Sequence, residues 1–207
     1  AQSYLDHYRL DRGAAIRLVK RIPSGGGLGG GSSDAGTVLR AMARLFPRPG
    51  SERTLGKLGV ALGADVPLFT REGGVFVGKG IGERLTPIRP IHPERSRRAP
   101  PPPLVLVFPG VPVPTRDAYR RLANLRRKNA LTAASHLDKL VRVLAAGSPP
   151  SLWQKLLFNR LEEAVLPFYP AVQEAKWSLA ALGAEPLMSG SGSCVFAFAP
   201  SPAAGRR

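Results

Sequence analysis

Six glycines around a single leucine limit this chain more than any other feature: Pro23-Ser24-Gly25-Gly26-Gly27-Leu28-Gly29-Gly30-Gly31-Ser32-Ser33-Asp34-Ala35. Glycine adopts positive φ at little steric cost and lets a ligand approach the backbone closely. Successive N–H groups in such a run form a concave nest for an anion. A helical pattern follows directly. Ala35, Val38, Leu39, Met42, Ala43 and Leu45 recur at helical spacing, and Pro47 and Pro49 stop them, so a helix is expected over Ser32–Leu45. Its first turn would present free N–H groups and the positive end of its dipole. The candidate phosphate-holding residues are therefore Pro23, Ser24, Gly25, Gly26, Gly27, Leu28, Gly29, Gly30, Gly31, Ser32 and Ser33. Glycine- and serine-rich tracts also serve as flexible linkers. This one lies between a strand pattern and a helix pattern, where a linker would break a compact unit, and Leu28 can anchor it. No Gly-Lys-Ser/Thr ends the run, so it is not a P-loop, and Gly27-Leu28-Gly29-Gly30-Gly31 lacks the spacing of a dinucleotide fingerprint.

The flanking patterns give a mixed architecture. Ala1–Leu10 reads as the end of a helix and Ala14–Lys20 as a strand with Ile16 and Leu18 alternating. Ser51–Leu62 reads as a second helix, with Ser51 as N-cap and Leu55, Leu58 and Leu62 as its apolar stripe, ended by Gly63. Gly74–Val77 and Arg84–Ile88 read as a hairpin. His92–Pro103, with Pro100 to Pro103 in succession, is the clearest seam, because polyproline stays extended and builds no ladder. The expected domains are accordingly 1–98 and 104–207. Beyond the seam come a buried strand at Leu104–Phe108 and helices at Thr115–Leu122, Ala133–Leu144, Gln154–Val165 and Tyr169–Leu182. Strands at Leu187–Met188 and Cys194–Ala199 flank Ser189-Gly190-Ser191-Gly192. Strands and helices alternate without a regular βαβα beat, which favours α+β over a doubly wound sheet.

Asp65 stands in Leu62-Gly63-Ala64-Asp65-Val66-Pro67. A carboxylate on a rigid loop can take a proton from a hydroxyl. An aspartate at a turn before proline is also an ordinary capping residue, and the residues alone leave both roles open. The same holds for Ser189–Gly192, which reads equally as a tight turn between strands.

Bulk properties exclude some classes. Hydrophobic residues make up 43% of the 207, enough for a core, and no run of about 18 apolar residues offers a membrane span. The first residues lack a basic segment followed by an apolar one, so no secretory signal is expected. Cys194 is the sole cysteine, which rules out an internal disulfide and fits a reducing cytoplasm. It lies in Ser193-Cys194-Val195-Phe196-Ala197-Phe198, a core-strand pattern rather than a nucleophile's setting. The net charge of +16 invites nucleic acid. Yet 23 arginines and 7 lysines are scattered along the whole chain, as a GC-rich coding sequence gives, and a basic face also attracts polyphosphates. A small-molecule partner is expected, with no membrane and no nucleic acid, and no pattern sets an oligomeric state.

Lys20-Arg21-Ile22-Pro23 and the glycine run resemble the ATP-binding motif of the GHMP kinases, in the form used by the branch that acts on a cytidine-diphosphate-linked methylerythritol. Gly36 departs from that form, where a small Ala or Thr is usual, at about 1 kcal/mol of helix propensity. Leu62–Pro67 matches the branch's second motif, and Gly78-Lys79-Gly80-Ile81-Gly82 its following hairpin. Pro109–Thr115 and Phe158-Asn159-Arg160-Leu161-Glu162 are similar to later segments, with Arg160 replacing an acidic residue. Met188–Ala197 resembles the third GHMP motif. The resemblance runs from about Gly13 to Ala199. It implies an α+β fold of two domains, an incomplete N-terminal part like ribosomal protein S5 domain 2 and a ferredoxin-like C-terminal part. It also implies an ATP-dependent kinase of the non-mevalonate isoprenoid pathway, with Mg²⁺ and with Asp65 as the catalytic base. Metal ligands stay unassigned, a serine of Ser32-Ser33 being one candidate. The family's first motif, Pro-x-Lys-x-Asn, is not found before Gly13. The resemblance then implies missing first strands, an exposed edge beside Ala14–Lys20, and poor solubility or weak activity. Another GHMP small-molecule kinase, or a non-catalytic binder of nucleotides or nucleic acid, are the rival expectations.

Overall fold

A computed structural model of the chain describes residues 1–48, 51–91, 102–125 and 130–199. The chain forms two compact units: Ala1–Ile22 with Gly29–Ile88, and Pro23–Leu28 with Arg89–Arg207. The glycine run is thus shared, its first half belonging to the second unit. The seam expected at His92–Pro103 falls largely outside the described residues, so the ranges 1–98 and 104–207 remain a proposal beside this division. The architecture is α+β.

The first unit holds α1 (Gln2–His7), α2 (Gly30–Leu45), α3 (Ser51–Leu62), the one-turn α4 (Val66–Phe69) and a hairpin of β1 (Phe76–Lys79) with β2 (Arg84–Pro87). Val77 pairs with Thr86 and Gly78 with Leu85, antiparallel. The core is Tyr4, Leu5, Leu39, Met42, Leu55 and Val66, where the apolar stripes of the helices meet. The Tyr4 hydroxyl donates to the Phe46 carbonyl at 2.7 Å, which ties α1 to the end of α2.

Two expectations need correction here. Helix α2 begins at Gly30, two residues before Ser32. Gly29 adopts φ 65° and its carbonyl accepts from Ser33 N–H at 2.8 Å, so the first turn closes on glycines. The strand expected at Ala14–Lys20 is irregular chain without a ladder. The described strands of this unit, β1 and β2, pair with each other, and a strand needs a hydrogen-bonded neighbour. Its apolar side chains Ile16, Leu18 and Val19 are 56%, 61% and 63% exposed.

Gly36 is also not the mild departure that propensity suggests. A Cβ there would lie 2.6 Å from Phe69 Cβ and 2.8 and 2.9 Å from Phe69 backbone atoms. Helix α4 therefore sits on α2 too closely for any side chain at this position. Gly36→Ala gains about 1 kcal/mol of propensity but overpacks a backbone contact at about 1–3 kcal/mol. The expected outcome is a lower thermal midpoint, read by circular dichroism.

The second unit contains β3 (Leu104–Val107), α5 (Thr115–Leu125), α6 (Ala130–Ala145), α7 (Pro150–Trp153), α8 (Glu162–Val165), α9 (Pro170–Ala181), β4 (Leu187–Met188) and β5 (Val195–Phe198). The sheet order is β3-β5-β4, all antiparallel, with Val105 opposite Ala197 and Met188 opposite Val195. Val113, Ala118, Leu161, Val165, Val172, Leu179, Met188 and Val195 pack its core. Strand β3 is not buried as expected: Leu104 and Leu106 are 58% and 48% exposed, because only one face of this edge strand meets the helices. The single helix expected over Gln154–Val165 is broken. A 3-10 turn at Gln154–Leu156 is followed by non-helical chain around Asn159, whose side chain bonds elsewhere, and α8 resumes at Glu162.

Candidate functional site

In the first unit the site is the mouth of α2. The N–H groups of Gly30, Gly31 and Ser32 cannot reach an intrahelical acceptor, and they donate to nothing else among the described residues. No side chain among the described residues caps this helix, and its first turn holds no acidic residue. The partial positive charge of the helix end is therefore not neutralised by a cap. The hydroxyls of Ser32 and Ser33 likewise make no hydrogen bond among the described residues. Gly31 is decisive. It has no positive φ, and a Cβ built on it meets nothing within 4 Å. The protein's own described atoms do not require glycine there, and the space above it is open.

Lys20 adds a cation. Its Nζ pairs with Asp34 Oδ2 and stands 3.3 Å from where a Gly30 Cβ would be. Its place in Lys20-Arg21-Ile22-Pro23, the stretch that resembles the ATP-binding motif, is the sequence signal for it, but the pairing with Asp34 is not legible there.

Asp65 precedes α4 as its N-cap residue, with φ −88° and ψ −13°, and its side chain makes no cap hydrogen bond. The capping role is therefore not the one the structure shows. The carboxylate is exposed and unbonded among the described residues. Helix α4 is seated on α2 through Phe69, whose ring atoms lie 3.1 and 3.3 Å from the Cβ position of Gly29. The β1–β2 turn flanks Asp65: Oδ1 is 3.6 Å from the Cβ position of Gly82. That turn is fixed by Glu83, whose carboxylate accepts from Ile81 N–H at 2.8 Å. Hydrogen bonds from its own backbone N–H and from Ile81 hold the Glu83 carboxyl below the usual carboxylate range.

A separate cavity of about 460 Å³ in this unit is lined in part by Arg40, Arg44, Glu52, Arg71, Glu72 and Phe76. It adjoins the far end of α4 from Asp65. Its arginines are already matched, Arg40 and Arg44 to Glu72 at 3.0 and 3.3 Å, and Arg71 to Glu52 at 3.3 Å.

In the second unit, Pro23–Leu28 lies on the turn Ser189–Gly192 and the segment Pro112–Val113. Three of the loop's carbonyls are engaged: Gly25 O accepts from Val113 N–H at 3.4 Å, Gly26 O from Cys194 N–H at 3.0 Å, and Gly27 O from the Ser189 hydroxyl at 3.0 Å. The N–H groups of Gly27 and Leu28 donate to no acceptor among the described residues. Free amides in a glycine run of this kind can form a nest for an anion. Close contact explains these glycines. A Cβ on Gly26 would stand 2.7 Å from Cys194 Sγ, and one on Gly27 would stand 2.1 Å from Ser189 O. Cys194 is fully buried, and burial pushes its thiol up, as suits a packing residue. The structure also ties Thr115 to this turn, its Oγ1 lying 2.9 Å from Ser191 Oγ.

Comparison with known proteins places the chain in a family. The GHMP kinases N terminal domain matches residues 1–73 and the GHMP kinases C terminal domain matches residues 137–207. A 4-diphosphocytidyl-2-C-methyl-D-erythritol kinase of Thermus thermophilus is 38% identical over 208 residues, covering 100% of this chain and 68% of the relative. One of Chlorobaculum tepidum is 40% identical over 198 residues, covering 95% of this chain and 65% of the relative. The chain thus spans about two thirds of the length of these relatives. A crystal structure of 4-(cytidine 5'-diphospho)-2C-methyl-D-erythritol kinase superposes with a TM-score of 0.73 at 37% identity, covering 100% of this chain and 69% of that one. With motifs, folded units and overall similarity in agreement, the chain belongs to the GHMP kinase family, on the branch formed by the 4-diphosphocytidyl-2-C-methyl-D-erythritol kinases.

Proposed function

We propose that this chain transfers the γ-phosphoryl group of ATP to the 2-hydroxyl of 4-diphosphocytidyl-2-C-methyl-D-erythritol, a step of the non-mevalonate isoprenoid pathway. Pro23–Ser33 holds the phosphates through its backbone amides, and the end of α2 supplies positive potential. Asp65 accepts the hydroxyl proton as the new oxygen–phosphorus bond forms and ADP leaves. An exposed carboxylate with no partner among the described residues is free to do this. Mg²⁺, when bound, would neutralise charge on the phosphate oxygens. It is commonly held by those oxygens with one or two protein ligands, and Ser32 or Ser33 is the candidate hydroxyl. A reducing cytoplasm suits the single buried thiol. Among the described residues no helix is long and apolar enough to cross a membrane.

The observation that carries the reading is Gly31, a glycine with open space over its Cβ position in a helix turn whose first three amides are unbonded among the described residues. Gly31→Ala tests it. Alanine should leave the thermal midpoint unchanged or raise it, since it gains up to about 1 kcal/mol in a helix. Nucleotide affinity, read by calorimetric titration with ATP, should fall about tenfold, about 1.4 kcal/mol. Unchanged ATP affinity would remove the loop from the nucleotide site.

A further inference from the structure

The segment around Asn159 has no part in the chemistry above, yet its side chains bracket the turn on which the glycine loop rests. Asn159 Nδ2 donates to Met188 O at 2.8 Å and to Gly190 O at 2.7 Å, while its Oδ1 accepts from Leu161 N–H at 3.0 Å. Both amide hydrogens are thereby committed to the turn. Glu162 completes the bracket. Its Oε1 accepts from Met188 N–H at 2.7 Å, and its Oε2 pairs with Lys176 Nζ at 2.5 Å. The turn needs such support. Gly190 and Gly192 have φ of 53° and 84°, and β4 is only two residues long. Between those glycines and β4 stands Ser189, whose hydroxyl holds Gly27 O and whose carbonyl blocks any side chain at Gly27.

We propose that Asn159 is a positioning residue for the nucleotide loop. It fixes the carbonyls on either side of Ser189, and Ser189 fixes Gly27. This rests on the nucleotide-binding role proposed for Pro23–Ser33. The amide, rather than the residue's size or its bond to Leu161, is the operative group.

Asn159→Asp separates these roles in the 207-residue chain. Aspartate keeps the acceptor for Leu161 N–H, and the two residues cap equally well, but it loses both donors. Val172→Ala, a core truncation in α9 at a fully buried site, controls for general loss of stability. Two readouts apply: ATP affinity by calorimetric titration, and the labelling rate of Cys194, the only thiol, which lies beneath Gly26. At matched distance below the thermal midpoint, Asn159→Asp should bind ATP about tenfold more weakly and label about tenfold faster than Val172→Ala. Equal behaviour of the two variants, or wild-type behaviour of Asn159→Asp, overturns the proposal. If the unsubstituted chain binds no ATP, the functional reading fails instead, and the labelling rates still decide whether Asn159 positions the loop.

Discussion

Asp65→Asn should lower the rate of phosphoryl transfer to the methylerythritol substrate by about 10²- to 10⁴-fold, the range for loss of a positioned general base. Stability and ATP affinity should stay near those of the unsubstituted chain. The separation follows from the structure. The Asp65 side chain caps nothing and pairs with nothing among the described residues, so an isosteric amide removes no bond. The position of the side chain is set by the backbone instead. Val66 and Pro67 are buried, and Phe69 packs against the Cβ positions of Gly29 and Gly36. An amide there keeps the shape but accepts no proton at neutral pH. Steady-state rates with saturating ATP, together with a thermal melt, test this. A rate within about threefold of the parent chain would deprive Asp65 of the role of base.

Gly27→Ala should abolish measurable ATP binding and destabilise the second unit. Two penalties combine. Gly27 has φ 73°, a conformation that costs an L-residue about 1–2 kcal/mol. The added carbon would fall 2.1 Å from Ser189 O and 2.7 Å from Gly192 O, both backbone atoms. Overpacking of this kind costs about 1–3 kcal/mol more. The loop must lift from the turn, and its bond with the Ser189 hydroxyl is lost. The contrast with Gly31→Ala is informative, because the same chemical change four residues later meets no protein atom. One substitution damages fold and binding together, whereas the other damages binding alone. Calorimetric titration and a melt on both variants read the difference. Intact ATP affinity in Gly27→Ala would show that the loop need not rest on Ser189.

What could be read from the sequence was what local chemistry dictates. The glycine run, the helix after it and the Gly63-Ala64-Asp65-Val66-Pro67 turn are each set by residues within a few positions, and the structure has them in those forms. The start of α2 at Gly30 was less legible, because helical spacing begins with side chains and glycines have none. Features set by distant partners escaped. Ala14–Lys20 alternates like a strand, but a ladder depends on a neighbour that periodicity does not supply. Gln154–Val165 has continuous amphipathic spacing. The break at Asn159 arises from Met188 and Gly190, 29 and 31 residues away. Gly36 looked like a small loss of helix propensity, and only Phe69 packing over it shows why a side chain does not fit. In the site, Lys20 and Ser189 were visible as residue types but not as partners of Asp34 and Gly27.

In the proposed function, amides at the glycine run receive the phosphates of a nucleotide. The direct measurement is an amide nuclear magnetic resonance titration of the chain with ATP and Mg²⁺. Saturable shifts should be largest at Gly27, Leu28, Gly30, Gly31 and Ser32, five of the amides that have no internal acceptor among the described residues. ATP binding that saturates while those five resonances stay still would contradict it.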